Sequence, residues 1–208
     1  MFKEIKQVLA FFNANRSAKF SIVFKKLNLK LSERDQNRIK TLLISDNIVE
    51  EGETFGTEPD YSLTDDGMQL LNAMNECEIL DQILHYLDNN DKSYVDMEFI
   101  CKQCEVPFSK IYAIKLENEG LIENYAQTKD GDGFGITKQG KYFINVEGGY
   151  CKKLKMQIEE LLTQKKQSEV QPGNYQITSE NVIFNQNSTI GSQNQNTSKE
   201  TKSDKKNW

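Results

Sequence analysis

Apolar residues Ile5, Val8, Leu9 and Phe12 recur at i, i+3, i+4 and i+7, which predicts an amphipathic first helix of about three turns. Asn13 to Lys19 reads as a loop, and Phe20 to Leu29 as a second short helix with Phe24 and Leu27 inward. A third helix is announced by Ser32-Glu33-Arg34-Asp35, in which a hydroxyl and a carboxylate three positions apart are spaced to satisfy backbone donors at a helix start. Within it Ile39, Leu42 and Leu43 share one face, and Arg34, Asn37, Arg38 and Thr41 share the other. The helix ends near Asp46-Asn47. Ile48-Val49 opens a strand that turns through Gly52 to Pro59 and returns as Tyr61-Ser62-Leu63. Thr64-Asp65-Asp66-Gly67 starts a last helix, carrying Met68, Leu71 and Met74 on one side.

The pattern then starts again. Leu80, Ile83, Leu84 and Leu87 repeat the spacing of the first helix, and Asp96 is placed to cap a short helix ending near Cys104. Pro107 suits the first turn of the next helix. Leu121-Ile122 falls 73 positions after Ile48-Val49, and Thr137-Lys138-Gln139-Gly140 falls 73 positions after Thr64-Asp65-Asp66-Gly67. Two copies are too few for a stacked solenoid, so the repeat implies two units in tandem.

The order Leu-x-x-x-x-Ile-Val, hairpin, Leu-Thr-x-x-Gly resembles the end of a winged-helix domain. The resemblance implies a mainly α fold with small β wings (α+β): a first winged-helix unit over residues 1–76, a second over 77–148, a C-terminal amphipathic helix over 149–168 and a polar tail over 169–208. The layout is also similar to that of tandem acidic winged-helix proteins of the chromosome segregation and condensation protein B type, which act as protein-interaction scaffolds.

A chain of 208 residues with 37% apolar residues holds one large core or two small ones, and the repeat favours two. No run of 18 apolar residues occurs, and the first residues lead into an amphipathic pattern instead of a signal-peptide block, so a cytoplasmic protein is expected. The net charge of −5 is unevenly spread: residues 1–40 sum to +7, and residues 41–76 contain nine acids and no Lys or Arg. A polyanion would be steered to the first forty residues.

Beyond Gly148-Gly149, Tyr150 to Gln167 reads as a helix with Leu154, Ile158, Leu161 and Leu162 on one stripe. Such a stripe needs a cover, supplied either by folding back on the second unit or by pairing with another subunit; a dimer is the expectation. From Glu169 onward, Asn, Gln, Ser and Thr supply 21 of 40 residues, a composition that does not form a core and is expected to be mostly disordered. Its β-prone patches are Tyr175-Gln-Ile177 and Val182-Ile-Phe184.

Catalytic chemistry finds little support. There is no phosphate-binding glycine loop or nucleophile elbow, and the single histidine, His85, has no convincing nucleophile beside it. Cys101-x-x-Cys104 has zinc spacing, but further ligands are missing and Cys104 aligns with the apolar Leu31, so these are read as structural thiols. Asp130-Gly-Asp132-Gly-Phe-Gly135 lacks the third acid and terminal Glu of a calcium loop and reads as a glycine-rich hairpin tip. No enzyme activity, cofactor or metal is expected.

The two third helices differ. The first presents Arg34, Asn37, Arg38 and Thr41 outward with Lys40 at the flank, residue types that contact phosphates and base edges, and Lys25, Lys26 and Lys30 precede it. The second places Pro107, Lys110, Ile111 and Ile114 at the matching positions, where the isoleucines suit a protein interface. The expected function is DNA binding or regulation through the first unit, with a protein partner or homodimer engaged by Ile111 and Ile114 together with Leu154, Ile158 and Leu161. The alternative is an adaptor for protein assembly that binds no DNA, favoured by the acidic first hairpin with Glu50, Glu51, Glu53, Glu58 and Asp60.

Overall fold

The computed structural model describes residues 1–54, 56–90, 94–128 and 131–168, with the backbone alone for 126–128, 131–132 and 164–168. It is mainly helical, with two short antiparallel strand pairs. Helices α1 (Phe2–Ala14), α2 (Phe20–Leu27) and α3 (Glu33–Ser45) lead into the hairpin β1 (Val49–Glu51) and β2 (Tyr61–Leu63). Helix α4 (Asp65–Asn89) connects to α5 (Met97–Gln103), α6 (Lys110–Asn118), the hairpin β3 (Ile122–Thr128) and β4 (Gly131–Ile136), and α7 (Lys138–Tyr142). A π-helical turn over Phe143–Glu147 leads to α8 (Gly149–Ser168). The tail from residue 169, with its two β-prone patches, lies outside the described residues.

Local chemistry explains where these elements begin and end. The Ser32 hydroxyl accepts from the Asp35 amide at 3.2 Å and donates to the Asp35 carboxylate at 2.7 Å, so the capping pair starts α3 at Glu33. Asp96 does the same for α5, accepting from the Phe99 amide at 3.1 Å. Pro107 stands before α6 instead of in its first turn, because Ser109 is the cap and accepts from the Ile111 amide at 3.3 Å.

The repeat reaches down to single hydrogen bonds. The Thr64 hydroxyl donates to the Asn47 carbonyl at 2.6 Å and accepts from the Gly67 amide at 3.1 Å. The Thr137 hydroxyl donates to the Gly120 carbonyl at 2.7 Å and accepts from the Gly140 amide at 2.9 Å. Asn47 and Gly120 both take left-handed backbone, φ 56° and 68°, to turn the chain from helix into strand. A Cβ on Gly67 would stand 2.2 Å from the Ile48 carbonyl oxygen, and one on Gly140 would stand 2.1 Å from that of Leu121. The Thr-x-x-Gly pair is therefore a joint that caps a helix while pressing its first turn against the residue that leads into the first strand of its hairpin.

The glycines of the second hairpin serve packing. Gly135 lies under the Tyr94 ring, where a Cβ would meet the ring edge at 2.7 Å, and Tyr94 packs on Tyr125 with ring centroids 4.0 Å apart. Asp130 lies outside the described residues, as does the side chain of Asp132.

The break expected between residues 76 and 77 falls inside α4, which runs unbroken for 25 residues. Leu71 and Met74 on its first half and Cys77, Leu80, Ile83, Leu84 and Leu87 on its second are all buried, with Met68 left 37% exposed. The buried side chains of both repeats form one continuous cluster. Two stripes that look like two helices in the sequence are one rod packed on more than one side, which contacts α1, α5, α7 and α8.

Helix α8 settles how its stripe is covered. Leu154, Ile158 and Leu162 are 0%, 4% and 5% exposed within a single chain, with α4 as the main neighbour. Leu154 and Ile158, expected at a subunit interface, are therefore covered within the chain as core residues; Leu161 is half-buried. Asp81 of α4 holds the helix start, accepting from the Tyr150 and Cys151 amides at 2.7 and 2.9 Å. The Tyr150 hydroxyl donates to Glu119 at 2.6 Å. Among the described residues no helix is long and apolar enough to cross a membrane.

Candidate nucleic-acid interface

Helix α3 buries Ile39, Leu42 and Leu43 at 0%, 5% and 0% exposure, which commits the opposite face to the outside. Arg34, Asn37 and Thr41 are exposed there, and Arg38 is half-buried with its guanidinium 3.6 Å from Asp35. That i, i+3 pair lies at the surface, where an ion pair is worth at most about 1 kcal/mol, so it orients Arg38 without consuming it. Lys25, Lys26 and Lys30 are exposed on and after α2, with the Lys26 ammonium 5.7 Å from the Phe11 ring centre.

Lys40 has a different task from the one its position suggests. Its ammonium lies 3.5 Å from Glu58 and 5.7 and 5.5 Å from the ring centres of Phe20 and Tyr61. Glu58 in turn accepts from the Ser21 hydroxyl at 2.6 Å. Burial opposes the charge on Glu58, but hydrogen bonds from Ser21 and then Lys40 outweigh it and hold its carboxyl below the usual range. The first hairpin is thus fastened to α2 and α3 through an acid, and Lys40 is a latch in that fastening. Glu50, Glu51 and Glu53 remain exposed.

The corresponding helix of the second repeat is apolar on its outer side. Ile111 and Ile114 are 65% and 56% exposed, with Phe108 just before them also exposed. Its inner side buries Ala113 and Leu116. Lys115 is engaged inward, 3.0 Å from Glu76 of α4. The difference between the two third helices that the sequence suggests is therefore matched by what each exposes.

The thiols behave as packing groups. Cys77 is buried beside Cys151, and burial, followed by the neighbouring Cys151 and Asp81, pushes its pKa well above the ordinary thiol value. Burial likewise raises Cys101 and Cys104, and the Cys104 thiol donates to the Gln82 carbonyl at 3.6 Å. Among the described residues no group of three or more His, Cys, Asp or Glu side chains is placed to hold a metal ion.

Several connections carry no sequence signal: the Glu58 latch to Ser21 and Lys40, the Asp81 cap of α8 and the Tyr150–Glu119 bond. Each joins residues far apart in the chain by ordinary polar types, and no local pattern marks them. The fold and site define a helical protein of two helix-and-hairpin repeats sharing one long helix. No protein-family model and no curated protein matches the chain.

Proposed function

We propose that the chain is a tandem winged-helix protein that binds duplex DNA through α3 of the first unit and a protein partner through α6 of the second. The observation that carries this reading is the exposed Arg34, Asn37, Arg38 and Thr41 face of a helix whose other side is fully committed to the core, within the +7 segment of the chain. Arg34 and Arg38 lie one turn apart, the spacing at which two guanidiniums meet one groove together. In this reading Lys25, Lys26 and Lys30 supply phosphate contacts, and Lys40 stays in its latch.

A second reading rests on the acidic hairpin and the exposed Phe108, Ile111 and Ile114: an adaptor in which both units bind protein. Binding to random-sequence duplex at several salt concentrations separates the two. DNA binding by α3 predicts affinity that falls steeply between about 50 and 200 mM salt. It also predicts loss of binding in Arg34→Glu/Arg38→Glu with an unchanged circular dichroism spectrum. A matched reversal of the exposed Lys102 and Lys110 should do much less; Lys115 is unsuitable because it pairs with Glu76. Equal loss in both double variants refutes the division between the units. No affinity at about 50 mM salt leaves the adaptor.

A further inference from the structure

The outer face of α6 is apolar in the middle and charged at both ends. Ile111 and Ile114 are 65% and 56% exposed, and Lys110 and Glu117, which flank them, are exposed as well. At about 100° per residue these four positions fall within one sector of roughly 120°. Lys110 and Glu117 stand at i and i+7, about 10 Å apart along the axis, too far to pair with each other. Neither forms an ion pair with another described residue. Each charge also sits at the unfavourable end of its own helix. α6 begins with Lys110, has no acid in its first turn and carries Glu117 in its last, whereas the partial charges of the helix ends favour the reverse.

We infer that this face pairs with the same face of a second copy of the chain, the two α6 helices lying antiparallel about a two-fold axis level with the midpoint between Lys110 and Glu117. The inference rests on α6 as a protein contact, proposed above, and names its partner. A two-fold axis uses one patch for both sides, so the patch must be its own complement. Here Lys110 of each copy faces Glu117 of the other, twice, and Ile111 and Ile114 meet their counterparts between the two ion pairs. The same arrangement sets each Lys110 beside the C-terminal end of the opposite helix and each Glu117 beside its N-terminal end, which supplies the dipole contacts both lack in their own helix. A parallel pair would instead oppose like charges. The apolar centre is small beside the roughly 800 Å² per partner of a standard interface, so the dimer is weak and depends on concentration.

The test is sedimentation of the full chain from about 1 to 300 µM, in which the mass should rise from 24.0 kDa toward twice that with a Kd of about 10–100 µM. Ile111→Glu/Ile114→Glu should be monomeric throughout, with an unchanged circular dichroism spectrum. Lys110→Glu alone and Glu117→Lys alone should each weaken the dimer by about tenfold or more, because each sets like charges together at both pairs. Mixing these two single variants should restore association, since every pair across the mixed dimer then joins Glu to Lys; the exchange Lys110→Glu/Glu117→Lys in one chain should restore it too. The charge variants carry the test if the isoleucine variant does not fold. Mixed single variants that associate no better than each alone overturn the inference. A chain that stays monomeric up to about 300 µM overturns self-pairing alone and leaves α6 to a different protein. A dimer that persists in folded Ile111→Glu/Ile114→Glu puts the contact on another face, and the α6 part of the proposed function falls with the inference. DNA titrations at about 10 nM protein, where such a dimer is dissociated, read α3 separately from either outcome.

Discussion

Replacing Gly140 by Ala tests the joint that both repeats share. The new methyl would stand 2.1 Å from the Leu121 carbonyl oxygen and 2.8 Å from Cγ1 of Ile136, and the oxygen belongs to backbone that has no rotamer to change. An ordinary carbon–oxygen contact is about 3.3 Å or more, so α7 and the strand must separate by roughly 1 Å. That movement pulls on the Thr137 hydroxyl, which bonds the Gly120 and Leu121 carbonyls at 2.7 and 3.2 Å, and on the Thr137 amide, 3.1 Å from Leu121. Overpacking costs about 1–3 kcal/mol, and one or two weakened hydrogen bonds add about 1 kcal/mol each. Alanine recovers about 1 kcal/mol of helix propensity, which leaves a net loss of roughly 1–4 kcal/mol. Gly67→Ala should cost about the same, since its Cβ would lie 2.2 Å from the Ile48 oxygen. Gly52→Ala is the control: its Cβ has 3.4 Å to the nearest atom, and the change should stay within about 0.5 kcal/mol. Denaturant unfolding followed by circular dichroism measures all three, and α4 common to both repeats predicts a single transition for each. A Gly140→Ala protein as stable as the unaltered one would refute the reasoning, because helix propensity would then have outweighed the contact.

Ile158→Ala removes a side chain that is 4% exposed and should cost about 2–5 kcal/mol in denaturant unfolding, with no change in sedimentation; loss of a dimer without loss of stability would return α8 to a subunit interface. Cutting the chain after Ser168 should leave the thermal midpoint nearly unchanged, since among the described residues the buried side chains of α8 end at Leu162; a drop of several degrees would show that the tail packs on the body. Stability should decline as pH rises above about 9. Burial keeps the Cys77 thiol protonated well beyond its ordinary 9.0 and pushes Cys151 up to about 12, so the unfolded chain gives up these protons first and alkaline solution favours it. Unfolding free energies measured from pH 8 to 11 that stay flat would contradict the burial of these thiols.

The amino-acid sequence by itself determined what is local. Helix faces follow from spacing, so Ile5, Val8, Leu9 and Phe12 are legible as core, and the α3 and α5 starts follow from Ser32 and Asp96. The repeat is legible because Thr-x-x-Gly recurs at one offset, and the contrast between Arg34 and Arg38 and Ile111 and Ile114 can be read position by position. Tertiary structure decided what depends on packing between distant segments. The interruption expected after residue 76 is absent, because α4 meets neighbours on more than one side and a rod with apolar residues around it loses the single-stripe signal. An amphipathic stripe states that a face is covered and not by what, so the sequence left α8 free to seek another subunit while the fold gave it α4 and the Asp81 cap. Lys40 reads as one more basic residue until Glu58, Phe20 and Tyr61 close around it. A cavity walled by α1, α3, α4, α6 and α8 is the furthest from legible, because such a space exists only once all five are packed.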